Sequence, residues 1–133
     1  MGTQIFPFII SIINSRKVFD FEKLDVYQVI RKLNFDAFRF LNTAKGIEPT
    51  VKDQWKRATL GIMLNLAEGT GRISVNDKKH FITMARGSVN ESVALLQFTL
   101  DNGAIEEDLY AGFYEKYEQI SKMLLGMYRS YTK

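Results

Sequence analysis

The chain has no cysteine, a single histidine and only two prolines, and its charge excess is a mere +3. Without cysteine there is neither a disulfide framework nor thiolate chemistry. That composition fits a reducing compartment, and a cytoplasmic location is expected. His80 alone rules out histidine-based metal sets and a Ser-His-Asp triad within one chain. The small positive excess permits contact with nucleic acid without demanding it, because domains built for phosphate binding show a stronger bias. Long apolar runs are also missing. The one concentrated stretch, Ile5-Phe6-Pro7-Phe8-Ile9-Ile10-Ser11-Ile12-Ile13, is far too short to span a bilayer as a helix. No Lys or Arg precedes it, and Asn14-Ser15-Arg16-Lys17 follows where a secretory signal would carry small residues. Residues 1–20 therefore read as an apolar arm, extended by its β-branched content, that packs on the domain or on a neighbouring chain. No membrane partner is expected.

What is present is helical periodicity over residues 21–133, a length that makes one domain. Over about 22 to 45, Leu24, Tyr27, Ile30, Leu33, Ala37, Phe38, Leu41 and Ala44 recur at helical spacing. Gly46 caps that helix and Pro49 prevents its continuation. Thr50-Val51-Lys52-Asp53 resembles a capping box and opens a second helix to about Glu68, ended by Gly69 and Gly71. Ser74-Val75-Asn76-Asp77 opens a third to Asp101, closed by Gly103. A fourth starts near Glu106, where Glu106, Glu107 and Asp108 favour the positive end of the helix dipole, and runs to about Tyr131. No useful strand alternation follows residue 20. Short connections between long helices predict an all-α, up-down-up-down antiparallel four-helix bundle.

The second helix stands out. Gln54, Arg57, Gly61, Asn65, Glu68 and Arg72 form a narrow polar stripe, while Trp55, Ala58, Leu60, Ile62, Met63, Leu64, Leu66 and Ala67 cover most of the remaining circumference. A helix apolar on most sides is buried on most sides, so this breadth predicts a second burial surface, that is, a homo-oligomer. The third helix carries Lys79, Thr83, Arg86, Asn90 and Gln97 on a polar stripe and small residues, Ala85, Ser88 and Ser92, on its core face. The expected arrangement is a structural network of Asn65, Glu68, Arg72, Arg86 and Glu91 across helices two and three, since buried charges must be paired. The rival reading makes Glu68 and Glu91 a catalytic carboxylate pair. Interleaved arginines hold carboxylates ionised, which suits salt bridging better than acid catalysis.

These residues also carry a family resemblance. Gln54, Arg57-Ala58, Ile62, Asn65, Ala67-Glu68-Gly69 and Gly71-Arg72, followed by Phe81, Ala85-Arg86-Gly87-Ser88 and Glu91, resemble the paired motifs of a bacterial four-helix bundle family. That family was first described from proteins encoded in intervening sequences of 23S ribosomal RNA genes. Leu24-Asp25-Val26-Tyr27 is similar to the family's start, and the likeness covers about residues 20 to 130. Departures are mild: Gly61 and Met63 stand where small or Ser/Pro residues are common, Leu66 replaces Ile, and Ser92 replaces Leu. The resemblance implies a homopentameric ring and, for most members, no known activity. In a related branch, the accessory variability proteins of diversity-generating retroelements, it implies a basic pentamer that binds nucleic acid and a reverse transcriptase. RNA or DNA, and an RNA-handling protein such as a reverse transcriptase, are thus the partners it adds to self-association.

Antiparallel topology would gather Arg72, Lys78, Lys79, His80, Arg129 and Lys133 at one pole, with Arg16 and Lys17 nearby. These are the candidate nucleic-acid contacts, and a ring would multiply them. The opposite pole sets Asp101, Glu106, Glu107 and Asp108 against Lys45, Lys52 and Lys56. Tyr110, Tyr114, Tyr117 and Tyr128 cluster on the fourth helix and read as boundary packing with hydroxyls reaching water. Gly69-Thr70-Gly71 follows a helix, lacks a third glycine and has no P-loop sequel, so it is no dinucleotide loop. No cofactor, metal site or catalytic constellation is expected. The sequence reads as a non-enzymatic oligomeric scaffold that contacts RNA or DNA through a basic pole. The alternatives are a protein-only scaffold and a small carboxylate enzyme, the last needing an open cleft at Glu68 or Glu91.

Overall fold

The computed structural model describes residues 17–131 together with Pro7 and Ile9. Four helices fill most of that span: α1 (Asp25–Thr43), α2 (Pro49–Thr70), α3 (Val75–Asp101) and α4 (Glu107–Ser130), preceded by a single 3-10 turn at Asp20–Lys23. No strand occurs among the described residues. Pro7 and Ile9 have helical rather than extended backbone, which the ring-locked φ of proline permits. The rest of the expected apolar arm up to Arg16, and Lys133, lie outside the described residues.

The helix starts follow local chemistry, with one correction. Ser74 caps α3 as expected: its Oγ accepts the Asp77 amide at 3.0 Å, satisfying one of the orphan N–H groups of the first turn. α2 instead begins at Pro49, with Glu48 as its cap and no side-chain cap bond, so Thr50 lies inside the helix. Proline has no N–H to leave unsatisfied in a first turn and its φ is already helical, so the residue expected only to block α1 opens α2. α1 ends at Thr43 with Ala44 extended, and Gly46 makes the turn beyond at φ +83°. Gly103 turns the chain into α4 at φ +70°, a conformation that side chains resist.

The apolar positions of each helix meet in one core. It comprises Ile30, Leu33, Ala37 and Leu41 of α1; Trp55, Ile62 and Leu66 of α2; Ile82, Ala85, Val89 and Leu96 of α3; and Phe113, Ile120 and Leu124 of α4. Each helix packs against two others, α1 on α2 and α4, and α3 on α2 and α4, with the α2–α3 contact the most extensive. Small residues allow that closeness. A Cβ placed on Gly69 would stand 2.9 Å from that of Phe81, and one on Gly61 would stand 3.0 Å from the Ser88 hydroxyl. As numbers rise along α2 from Gly61 to Gly69, its partners on α3 fall from Ser88 to Phe81.

Candidate functional site

The five residues expected to lock α2 to α3 do not form a buried network. Glu68 and Arg72 pair at 2.8 Å, but within one stretch of chain and at the surface, with side chains 53% and 42% exposed. Arg72 does reach α3, its guanidinium lying 4.6 Å from the centre of the Phe81 ring. Arg86 turns to α4 instead, where Nη2 sits 3.4 Å from the Ser121 hydroxyl and Nε is buried without a partner. Asn65 is half-buried and Glu91 exposed, and among the described residues neither joins the others. The reason is packing. The buried level between α2 and α3 is occupied by Gly, Ala and Ser, which bring the backbones together; Glu68, Arg72 and Glu91 stay on the rim where water solvates them, and Arg86 is directed to α4.

A different polar chain lies in the core, and sequence reading missed it. The Trp55 indole N–H donates to the Tyr117 hydroxyl at 3.0 Å, and Thr59 donates to the Asn34 side-chain oxygen at 2.7 Å. The Tyr117 and Thr59 hydroxyls are 2.8 Å apart. Thr59 has one proton, committed to Asn34, so Tyr117 must be the donor between the hydroxyls. The relay Trp55 to Tyr117 to Thr59 to Asn34 thus runs in one direction and ties α4, α2 and α1. Ser92 of α3, buried beside it, spends its proton on the Ser88 carbonyl at 2.8 Å. Burial pushes the Tyr117 hydroxyl above its ordinary value, opposed by its hydrogen bonds to Thr59 and Trp55. Tyr117 is therefore a core residue and not part of a boundary stripe with its hydroxyl in water. Its spacing from Phe113, Ile120 and Leu124 was the available signal. The Asn34 amide nitrogen is left without a partner.

The structure brings most of the expected basic residues to one end. Lys79 at the start of α3 places its ammonium 4.7 Å from the centre of the Tyr128 ring near the end of α4. Lys78 donates to the Thr70 carbonyl at 3.0 Å, capping the last turn of α2. His80 meets the neighbouring Phe81 ring edge-on at 5.5 Å, and Arg129 is exposed next to Tyr128. Lys17 is exposed. At the other end Lys52 donates to the Ala44 carbonyl and Lys56 to the Asn42 side chain, both at 2.7 Å.

A groove of about 510 Å³ runs between α1 and α4, with Leu33, Phe40, Leu109 and Phe113 beneath Arg39 and Lys116. Neither Glu68 nor Glu91 lines it. Among the described residues, no three His, Asp or Glu side chains gather as a metal-holding group, and no helix is long and apolar enough to cross a membrane.

Comparison with known proteins follows the fold. The chain is similar to a crystal structure from Bacteroides thetaiotaomicron, a protein with unknown function from the S23 ribosomal protein family. The TM-score is 0.72 at 19% identity, over 77% of this chain and 97% of that one. At that identity the likeness establishes the helical fold. No curated protein matches. The family model described as 23S rRNA-intervening sequence protein matches residues 22–126, from just before α1 to the last turns of α4. That span takes in both motif-bearing helices and most of the chain, which belongs to the 23S rRNA-intervening sequence protein family.

Proposed function

We propose that this chain is a non-enzymatic, self-assembling scaffold, an up-down-up-down bundle repeated in a homo-oligomeric ring, whose basic end contacts RNA or DNA. One observation carries the nucleic-acid reading: the Lys79–Tyr128 contact joins the start of α3 to the end of α4. It thereby collects Arg72, Lys78, Lys79, His80 and Arg129 at one end of the molecule. Repetition around a ring would raise the effective concentration of this charge. The resemblance to the basic pentamers of retroelement accessory proteins favours five copies, and a reverse transcriptase or another RNA-handling protein as a further partner.

A protein-only scaffold is the second reading, supported by the bond from Lys78 to the Thr70 carbonyl, which occupies a cation that phosphate would otherwise use. A carboxylate enzyme is less well supported, because Glu68 is tied to Arg72 and no described groove opens at Glu68 or Glu91. The deciding experiment is native mass by light scattering, with and without short RNA and DNA. An oligomer that gains mass at low salt and loses it at high salt supports the proposal. An oligomer indifferent to nucleic acid supports the protein-only scaffold.

A further inference from the structure

The outward sides of α2 and α3 differ in relief and in charge. On α2, Leu60 and Leu64 are one turn apart and 38% and 57% exposed, and Arg57 is exposed one turn earlier. On α3, Gly87 sits in the middle of a 27-residue helix, and a Cβ placed there would meet nothing within 4 Å. Its φ is not positive. Glycine is among the poorest helix formers, and nothing among the described residues accounts for a missing side chain at that position. Near it are Met84, exposed and apolar, one turn before, and the small Ala94 two turns beyond on the same outward side. Arg57 and Glu91 are both exposed, and neither forms an ion pair among the described residues.

Because Gly61 meets Ser88, positions on α2 and α3 can be compared by height. Leu60 and Leu64 straddle the height of Gly87, and Arg57 stands near the height of Glu91. Rotation about an axis parallel to the helices preserves height. It would set the α2 leucines of one copy astride the Gly87 notch of the next, with Arg57 beside Glu91.

We infer that a second copy of this chain docks head to tail, the Leu60–Leu64 ridge of α2 seating in the Gly87 notch of α3, with Arg57 facing Glu91 across the contact. This rests on the self-assembly reading and names its interface. The projecting surface and the notch lie on different helices of the same chain, so the contact is heterologous and repeats until it closes. Neighbouring helices of a four-helix bundle face outward roughly a quarter-turn apart, which closes a ring after a few copies and prevents an open filament. Nucleic acid fits this surface poorly, since Arg57 and Arg72 are balanced there by Glu68 and Glu91.

The test uses two variants of the full chain, one with Leu60→Asp and Leu64→Asp, the other with Gly87→Trp. All three positions face outward, so helicity by circular dichroism should be retained in both. Light scattering should show each variant alone as a monomer. Mixed one to one, they should form a dimer and no larger species, since one intact ridge meets one intact notch. If the unaltered chain is itself monomeric, the self-assembly reading and this interface fall together. If the unaltered chain is oligomeric and either variant stays so, the interface is wrong and self-assembly stands. If both variants are monomeric but the mixture does not dimerise, the head-to-tail pairing is overturned.

Discussion

The hydroxyl of Tyr117 lies 2.8 Å from that of Thr59, and both side chains are wholly shut off from water. The pair is the middle of a relay from Trp55 to Asn34, and each member depends on the next for a buried group's only partner. Removing the Tyr117 hydroxyl strands the indole N–H. Tyr117→Phe should therefore cost about 1–3 kcal/mol in urea unfolding. Thr59→Val should cost a similar amount, and the double variant clearly less than the sum, because the two act through one chain.

Alkaline stability should report the same residue. Burial raises the Tyr117 pKa above the ordinary 10.0. Between those two values the unfolded chain has released a proton that the folded chain keeps, so the folded state loses stability as pH rises through that window. Below pH 10 the contribution is fully present. The decline cannot exceed about 1.4 kcal/mol per pH unit from this group. Tyr27 and Tyr131, also raised by burial, act in the same direction. Unfolding followed from pH 8 to pH 11 should show a shallower decline in Tyr117→Phe than in the unaltered chain.

Gly69 tests the closeness of α2 and α3. A methyl there would stand 2.9 Å from the Phe81 Cβ, a contact that only a shift of the helices can relieve. Gly69→Ala should destabilise by about 1–3 kcal/mol despite alanine's better helix propensity. Thermal unfolding checks the sign, and a gain in stability would show that the two helices separate easily.

Glu68 and Arg72 lie in water, so their pairing should matter little to stability. Glu68→Gln should change the unfolding free energy by under about 1 kcal/mol, and less in high salt. A loss of about 3–5 kcal/mol would instead mean that the pair is buried in the assembled protein.

Reversal of Lys78 and Lys79 to Glu tests the basic end. If RNA or DNA binds there, affinity should fall and the slope of log affinity against log salt should lose about 0.7–0.9 for each phosphate contact removed. Lys78 also caps α2, so unfolding measured alongside separates lost binding from lost fold. An unchanged slope would leave these lysines as helix-end charges only.

Most of the all-helical architecture was determined by the sequence, since helix existence rests on local rules. Apolar residues at 3.6-residue spacing, Ser74 before α3 and Gly103 after it act over a few positions and are visible in one dimension. The family was legible for the same reason, its motifs being runs along α2 and α3. What only the tertiary structure decided was which polar residues meet. Asn65, Glu68, Arg86 and Glu91 share stripes on two adjacent helices, yet a stripe fixes only a direction around its own helix. Helix rotation and spacing, set by Gly61 and Gly69 against Ser88 and Phe81, turned Glu68 and Glu91 to the rim and Arg86 toward α4. The same rotation put Asn34, Trp55, Thr59 and Tyr117, drawn from three helices, within hydrogen-bonding reach. Such contacts depend on close packing between segments far apart in the chain, and no periodicity within one segment encodes them.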